Sequence, residues 1–228
     1  MKVLIFGATG MVGKGVLIEC LESADVESVR TVGRSATGWK DPKLSETVCG
    51  DLWNYSGVES DLTAFDACFF CLGVSSAGMA EAEYARITYG TTVAAAETLS
   101  RLNPAMTFIY VSGAGTDGTE KGSVMWARVK GKTENSVKAL FRKGYAFRPG
   151  IIEPVKGVVS KTAAYRVLYV VAKPLLPLLR WALPNLILTT AQIGRAMLNV
   201  TLKGYPKPVL ESRDIRAAAL GSLSWPAK

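Results

Sequence analysis

Three glycines near the start of the chain have a spacing that suits the binding of an anionic group. Gly7, Gly10 and Gly13 form a G-x-x-G-x-x-G pattern between a short apolar run and a segment with helical spacing of apolar residues. Such glycines let the chain turn out of a strand, approach a pyrophosphate with its backbone and pack a helix on a sheet. The helix N-terminus then offers N–H groups to phosphates. We expect a dinucleotide here; the alternative is a tight turn without a ligand.

The end of the second predicted strand carries a basic residue where the adenosine ribose would lie. An acidic residue there would accept a hydrogen bond from the 2′-hydroxyl and favour NAD. Arg34 has no acceptor and suits a 2′-phosphate, so NADP is the expected cofactor and NAD the less favoured one. A solvated arginine is the alternative. Asp51, after the third strand, could bring a carboxylate to the adenine amine or simply close a turn.

Composition excludes several kinds of catalytic and metal site. The chain has 228 residues and no histidine, which excludes a Ser-His-Asp triad, a Cys-His pair and a His-ligated zinc. Cys68 and Cys71 form a C-x-x-C, but they lie in an apolar run that predicts a buried strand. Residues three apart on a strand face opposite sides and cannot share one ligand, so we predict no metal site.

The elements that would position these residues alternate between strands and helices. Strands are predicted at 2–6, 27–32, 46–49, 67–72, 107–111 and 145–148, and helices at 11–23, 80–102 and 123–143. This alternation indicates a parallel sheet with helices on both faces. We therefore predict an α/β fold, a Rossmann-like doubly wound parallel sheet. Residues 1–228 would form one NAD(P)-binding domain, in which 155–228 add a small helical cap on the substrate side rather than more of the sheet.

These motifs resemble the short-chain dehydrogenase/reductase superfamily over about residues 1–155. Besides the glycine loop, the resemblance rests on four segments at the predicted strand ends and on the following helix: Cys71-Leu72-Gly73, Val111-Ser112, Lys130-Gly131 and Arg148-Pro149-Gly150. The chain is similar to atypical members, among them bacterial proteins labelled NAD-dependent epimerase/dehydratase and a human NADPH-binding oxidoreductase-like tumour suppressor.

The resemblance implies a catalytic site with one departure. Ser112 matches the family's catalytic serine, and Lys130 matches the lysine of its Y-x-x-x-K motif or a donor to the nicotinamide ribose. The family's tyrosine is replaced by Trp126, whose indole N–H donates a hydrogen bond but does not ionise. Tyr84 could supply the missing proton, or it could be a packing residue of its helix.

Two function hypotheses follow. One is an NADP-preferring oxidoreductase of the atypical type with an unassigned proton donor; the other is a non-catalytic NADPH-binding protein. A sugar-nucleotide epimerase is less favoured, because it would use the same tyrosine and a larger substrate domain. The expected cofactor-binding residues are Gly7, Thr9, Gly10, Met11, Val12, Gly13, Arg34, Ser35, Asp51, Leu52, Cys71, Leu72, Gly73, Lys130, Pro149, Gly150, Ile151 and Ile152.

The net charge of +8 is concentrated in the C-terminal third, where no acidic residue occurs between Glu153 and Glu211. Apolar and basic residues over 163–188 are compatible with a buried cap, a pocket for an apolar substrate or peripheral contact with an anionic membrane. Nucleic acid is not expected, because no helix-turn-helix signal occurs. A homodimer is left open, and the substrate is an unidentified small molecule. Reduced cysteines and no signal peptide predict a cytoplasmic protein, with a membrane-peripheral location as the alternative.

Overall fold

A computed structural model describes residues 1–158 and 187–221, and its centre is a seven-stranded parallel sheet. The strands are β1 (Lys2–Phe6), β2 (Ser28–Gly33), β3 (Leu44–Val48), β4 (Ala67–Phe70), β5 (Thr107–Val111), β6 (Lys143–Arg148), β7 (Ile151–Glu153), β8 (Ile187–Thr189) and β9 (Val209–Glu211). The main sheet has the order β3-β2-β1-β4-β5-β6-β9, and β7 pairs with β8 separately. The strand order reverses between β1 and β4, so a crevice is expected at the carboxyl ends of these two strands.

Six α-helices lie in the described ranges: α1 (Met11–Glu22), α2 (Glu81–Ala85), α3 (Thr91–Leu102), α4 (Met125–Leu140), α5 (Thr190–Lys203) and α6 (Ser212–Leu220). A π-helical turn over Arg86–Gly90 joins α2 to α3, and a 3-10 helix covers Ser56–Leu62. The start of α5 is fixed by a capping box, in which Thr189 and Gln192 bond reciprocally to each other's backbone N–H.

Alternate residues of the strands contribute their side chains to two separate apolar cores. Val3, Ile5 and Phe69 face α1, α5 and α6, whereas Leu4, Phe6 and Phe70 face α3 and α4. Both sets are fully buried, which is why these strands appear in the sequence as continuous apolar runs. The predicted Rossmann-like fold is confirmed.

The prediction for the C-terminal third needs a correction. Instead of adding only a cap, the chain returns to the main sheet, where β9 pairs in parallel with β6. The side chains of Ile193, Met197 and Ile215, from α5 and α6, belong to the same core as those of α1. The apolar and basic stretch over 163–188 lies outside the described residues except for its last two. Among the described helices, none has the length and apolar character that crossing a membrane requires.

The packing of α1 on α5 depends on a glycine, and this gives a test of the fold. A Cβ on Gly15 would lie 2.4 Å from the Cβ of Thr190, which is fully buried. Overpacking costs about 1–3 kcal/mol, whereas alanine gains up to about 1 kcal/mol over glycine in a helix. We expect Gly15→Ala to lower the free energy of unfolding, measured in urea, by about 1 kcal/mol net.

Gly57→Ala is the matched control, because nothing lies within 4 Å of its added Cβ. This substitution should leave stability unchanged or raise it slightly. Equal stability changes in the two variants would contradict the packing described here.

Candidate cofactor and active site

The glycine loop brings three backbone segments together at the carboxyl end of β1. Gly7 has a φ of +77°, and a Cβ there would lie 2.7 Å from the backbone nitrogen of Leu72. A Cβ on Gly13 would lie 2.2 Å from the carbonyl oxygen of Gly7. Because side chains at either position would separate the loop from β4 and α1, the loop requires these glycines for close backbone packing.

The first turn of α1 is arranged to receive an anion. Its N-cap residue, Gly10, provides no side-chain cap, and the predicted residues Met11, Val12 and Gly13 form the turn itself. The N–H groups at the start of a helix have no partner within the helix, and the helix dipole favours negative charge there. This terminus lies beside the cavity described next, so its N–H groups suit a pyrophosphate.

A cavity of about 580 Å³ opens at the carboxyl ends of β1, β2 and β4. Half of the expected cofactor residues line it: Gly7, Thr9, Gly10, Arg34, Ser35, Leu52, Cys71, Leu72 and Gly73. Burial raises the pKa of the Cys71 thiol to about 12, so this cysteine stays protonated and is not a nucleophile. The cavity lies at the strand-order reversal, where doubly wound folds bind their ligands.

Two further side chains on the cavity wall were not predicted from the sequence. The guanidinium of Arg86 lies 5.1 Å from the ring centroid of Trp53, and the indole Nε1 of Trp53 donates to the Arg86 carbonyl at 3.2 Å. Trp53 is 44% exposed. An exposed tryptophan just after a strand end was the available signal, but its partner is 33 residues away in sequence. The pair offers a flat aromatic face and a second cation to a ligand.

The charge of the cavity wall is positive. Among the described residues that line it, the ionisable charges are those of Arg34 and Arg86, and no carboxylate is present. Asp51 does not line the cavity: its Oδ1 accepts the backbone N–H of Trp53 at 2.8 Å, as in an ordinary turn. The contact of Asp51 with adenine stays a prediction, and in this structure the aspartate shapes the turn that carries Trp53.

Ser112 lies at the carboxyl end of β5 above a buried ion pair. Its hydroxyl donates to Glu134 Oε1 at 2.5 Å, and the same carboxylate accepts Arg148 Nε at 2.9 Å and Nη2 at 2.7 Å. Glu134 is fully buried and Ser112 is 5% exposed. Arg148 also reaches Glu211 at 3.2 Å, which ties β6 to the edge strand β9. Glu134 gave no signal in the sequence, where it is one polar residue of an ordinary helix.

Lys130 is one helical turn before Glu134 and meets Ser112 from the other side. Its Nζ donates to the carbonyl of Ser112. Burial lowers the pKa of Lys130 to about 8, although the negative charge of Glu134 partly opposes this shift. The lysine is therefore close to its titration point near neutral pH, whereas an exposed lysine is fully charged there.

The two remaining catalytic candidates are Trp126, which is half-buried, and Tyr84, which is buried. Trp126 lies one turn before Lys130 on α4, and its ring packs 3.5 Å from the position of a Cβ on Gly115. Tyr84 is 1% exposed, and burial raises its pKa. It does not line the cavity, which weighs against a reach over a cofactor.

The other expected cofactor residues gather at the end of β6. The Pro149 carbonyl accepts the N–H of Ala114 at 2.9 Å, and Gly150 donates its N–H to the hydroxyl of Ser212 at 2.8 Å. Ile151 and Ile152 begin β7. These residues and Lys130 do not line the cavity, but they lie at the same carboxyl edge of the sheet, next to Ser112. The site thus has one part at β1, β2 and β4 and a second at β5 and β6.

Comparison with curated proteins gives relatives for two thirds of the chain. No family model matches it. The chain is 32% identical over 159 residues to "Protein fmp52, mitochondrial" of Aspergillus clavatus, and 31% identical over 159 residues to the Aspergillus fumigatus protein of the same name. Each match spans 66% of this chain and 66% of the relative, so about a third of each relative is unmatched. The expectation of a cytoplasmic protein is contradicted, because these relatives are named mitochondrial.

Comparison with solved structures identifies the fold. The Bordetella bronchiseptica enzyme WbmF in complex with NAD+ aligns with a TM-score of 0.66 and 13% identity over 99% of this chain and 79% of that one. A Helicobacter pylori ADP-L-glycero-D-manno-heptose-6-epimerase aligns with a TM-score of 0.64 and 16% identity over 88% of this chain and 73% of that one. A short-chain dehydrogenase/reductase from Saccharomyces cerevisiae aligns with a TM-score of 0.62 and 16% identity over 93% of this chain and 96% of that one. The sequence motifs and the structural neighbours agree on a Rossmann-like fold.

The buried ion pair at the second part of the site gives a stability prediction. Glu134→Gln keeps an acceptor for Ser112 but leaves Arg148, among the residues that the structure describes, with only Glu211 as a charged partner. Removing one member of a buried ion pair costs about 3–5 kcal/mol. We expect the free energy of unfolding, measured in urea, to fall by about 3 kcal/mol, the lower limit of this range.

The control is Glu211→Gln, which removes the other carboxylate that contacts Arg148. The side chain of Glu211 is 52% exposed, so its loss should cost at most about 1 kcal/mol. Equal losses from the two substitutions would show that the Glu134 pair is no stronger than a surface ion pair.

Proposed function

Because the chain has the fold of the atypical short-chain dehydrogenases/reductases, we propose that it is an NADP-preferring oxidoreductase of that type. The observation that carries the cofactor part is the cavity wall, in which Arg34 and Arg86 supply positive charge and the described lining residues supply no carboxylate. A 2′-phosphate adds negative charge to the adenosine half of the cofactor, and guanidinium groups pair well with phosphate oxygens. A wall built for NAD would carry a carboxylate that accepts a hydrogen bond from the 2′-hydroxyl instead.

The glycine loop and the start of α1 would hold the pyrophosphate. A Cβ at Gly7 or Gly13 would fill the space that the backbone needs for its close approach, and no side chain competes for the first helical N–H groups. The face of Trp53 would pack against the adenine. The second part of the site, with Ser112 and Lys130, would border the nicotinamide, which supplies or accepts a hydride when bound.

A second candidate function is a non-catalytic NADPH-binding protein. One observation favours it: the residue one turn before Lys130 is Trp126, and an indole cannot transfer a proton at working pH. In this alternative the cofactor stabilises the fold without turnover, as any ligand of the native state does.

Calorimetric titration with NADPH and NADH tests the cofactor assignment. We expect NADPH to bind more tightly, because Arg34 would make charge-assisted hydrogen bonds to the 2′-phosphate. Such bonds contribute about 1.5–3 kcal/mol, so Arg34→Ala should weaken NADPH binding by about 10- to 100-fold and leave NADH binding unchanged. Arg142→Ala, an exposed arginine just before β6 at the opposite edge of the sheet, is the control.

Equal binding of NADPH and NADH by the unmodified protein would show that Arg34 does not select NADP. Binding of neither would overturn the proposed function.

Turnover separates the two candidate functions. With NADPH bound, the unmodified protein should oxidise it in the presence of a carbonyl compound, for which 4-nitrobenzaldehyde is a suitable probe. The loss of NADPH absorbance reports the rate, and protein without aldehyde gives the background. Tight NADPH binding with no rate above that background would favour the non-catalytic candidate.

A further inference from the structure

We propose that Lys130 is the proton donor and acceptor of this site, in the place that a tyrosine would otherwise take. The inference rests on the proposed oxidoreductase function. It comes from the hydrogen bonds and ion pairs that the side chains at the carboxyl ends of β5 and β6 make with one another. Among the residues that the structure describes there, these contacts leave one group able to exchange a proton with a bound substrate.

Ser112 is not available as a donor in this arrangement. A serine hydroxyl has one proton, and both acceptors of the Ser112 hydroxyl lie inward: Glu134 Oε1 at 2.5 Å and the Phe147 carbonyl at 3.1 Å. The shorter bond is the one to Glu134. The carboxylate that receives it is fixed by two hydrogen bonds from Arg148. A substrate carbonyl above Ser112 would therefore meet the lone pairs of its oxygen, which cannot donate.

Four other ionisable groups described near this edge, those of Asp117, Tyr84, Tyr110 and Arg148, are also unable to exchange a proton with a substrate near neutral pH. Hydrogen bonds from the hydroxyl of Thr119 and from the backbone N–H groups of Gly122 and Thr119 hold the pKa of Asp117 down, at about 2, so it has no proton to give near neutrality. Burial raises the pKa values of Tyr84 on α2 and Tyr110 on β5, and neither side chain reaches the surface. Arg148 on β6 is permanently charged.

Lys130 differs from all of these groups in geometry. Its Nζ is held by the Ser112 carbonyl at the end of β5 and lies 4.0 Å from the position of a Cβ on Gly113. Because Gly113 has no side chain, nothing from this residue separates the amine from the edge of the sheet. The lowered pKa, caused by burial and partly opposed by Glu134, lets the ammonium release a proton near neutrality.

The proposed step balances as a carbonyl reduction. A nicotinamide, when bound, would supply the hydride for the new C–H bond, and the C=O π electrons would move to the oxygen. The Lys130 ammonium gives one proton to that oxygen, which yields an alcohol and a neutral amine, and water then reprotonates the amine. In the oxidative direction, the neutral amine takes the proton of the alcohol.

The first test measures Lys130 without requiring turnover. Trace acetylation with acetic anhydride over a pH series, read by mass spectrometry, follows the fraction of neutral amine, with the exposed Lys132 of the same helix as internal reference. We expect the labelling of Lys130 to reach half its maximum near pH 8 and to be slowed by NADP+. A midpoint near 10.4, the ordinary lysine value, would overturn the inference.

The second test separates proton transfer from binding. Lys130→Arg keeps a cation that can donate to the Ser112 carbonyl, but a guanidinium does not release its proton. We expect NADPH affinity within a few-fold of the unmodified protein and a fall of about 10²-fold or more in 4-nitrobenzaldehyde reduction, since general acid catalysis contributes about 10²–10⁴-fold. Unchanged reduction in Lys130→Arg would overturn the inference and leave the proposed function intact.

A double variant distinguishes activity lost with the proton donor from activity lost through a change in structure. Trp126→Tyr combined with Lys130→Arg places an ionisable hydroxyl one turn before the arginine, and it should recover part of the activity that Lys130→Arg loses. No recovery, in a double variant that binds NADPH normally, would count against loss of a proton donor as the cause. No reduction by the unmodified protein with NADPH bound would overturn both the inference and the catalytic part of the proposed function.

Discussion

The buried pair of Glu134 and Arg148 is the interaction on which the second part of the site depends. A fully buried carboxylate costs several kcal/mol to desolvate, and here three hydrogen bonds offset that cost, two from the guanidinium and one from Ser112. The pair connects α4 to β5 and β6, and Arg148 continues to Glu211 on β9. Three strand ends and one helix are therefore connected through these side chains, and separating α4 from β6 would leave a buried charge without its partner.

The same pair determines which groups face outward. Because Glu134 takes the hydroxyl proton of Ser112, the serine contributes its backbone carbonyl and its lone pairs to the surface of the site. The carbonyl in turn holds the amine of Lys130. The charge of Glu134 keeps the pKa of Lys130 from falling further, so the carboxylate affects both the position and the titration of the lysine.

The sequence predicted most of the sheet because the central strands are buried on both faces and thus show as apolar runs. β1 and β5 have the predicted bounds, and the glycine spacing located the cavity wall. β9 could not be predicted in this way, because it has three residues, of which only Leu210 is buried. Trp53 and Arg86 meet only through the fold. A single glutamate on a helix gives no sign that an arginine on the next strand lies beneath it, so the role of Glu134 appeared only in three dimensions.

The two parts of the site carry positive charge of different chemical kinds, and the difference suits their proposed tasks. Arg34 and Arg86 are exposed at the cavity, where a guanidinium serves as a fixed cation for an anionic ligand. Lys130 is partly buried, and desolvation weakens its hold on a proton. A surface lysine would remain charged and a buried arginine would not release its proton, so neither could replace it. Trp126, one turn away on α4, is compatible with this arrangement, because a site whose lysine exchanges the proton needs no second ionisable group on that helix.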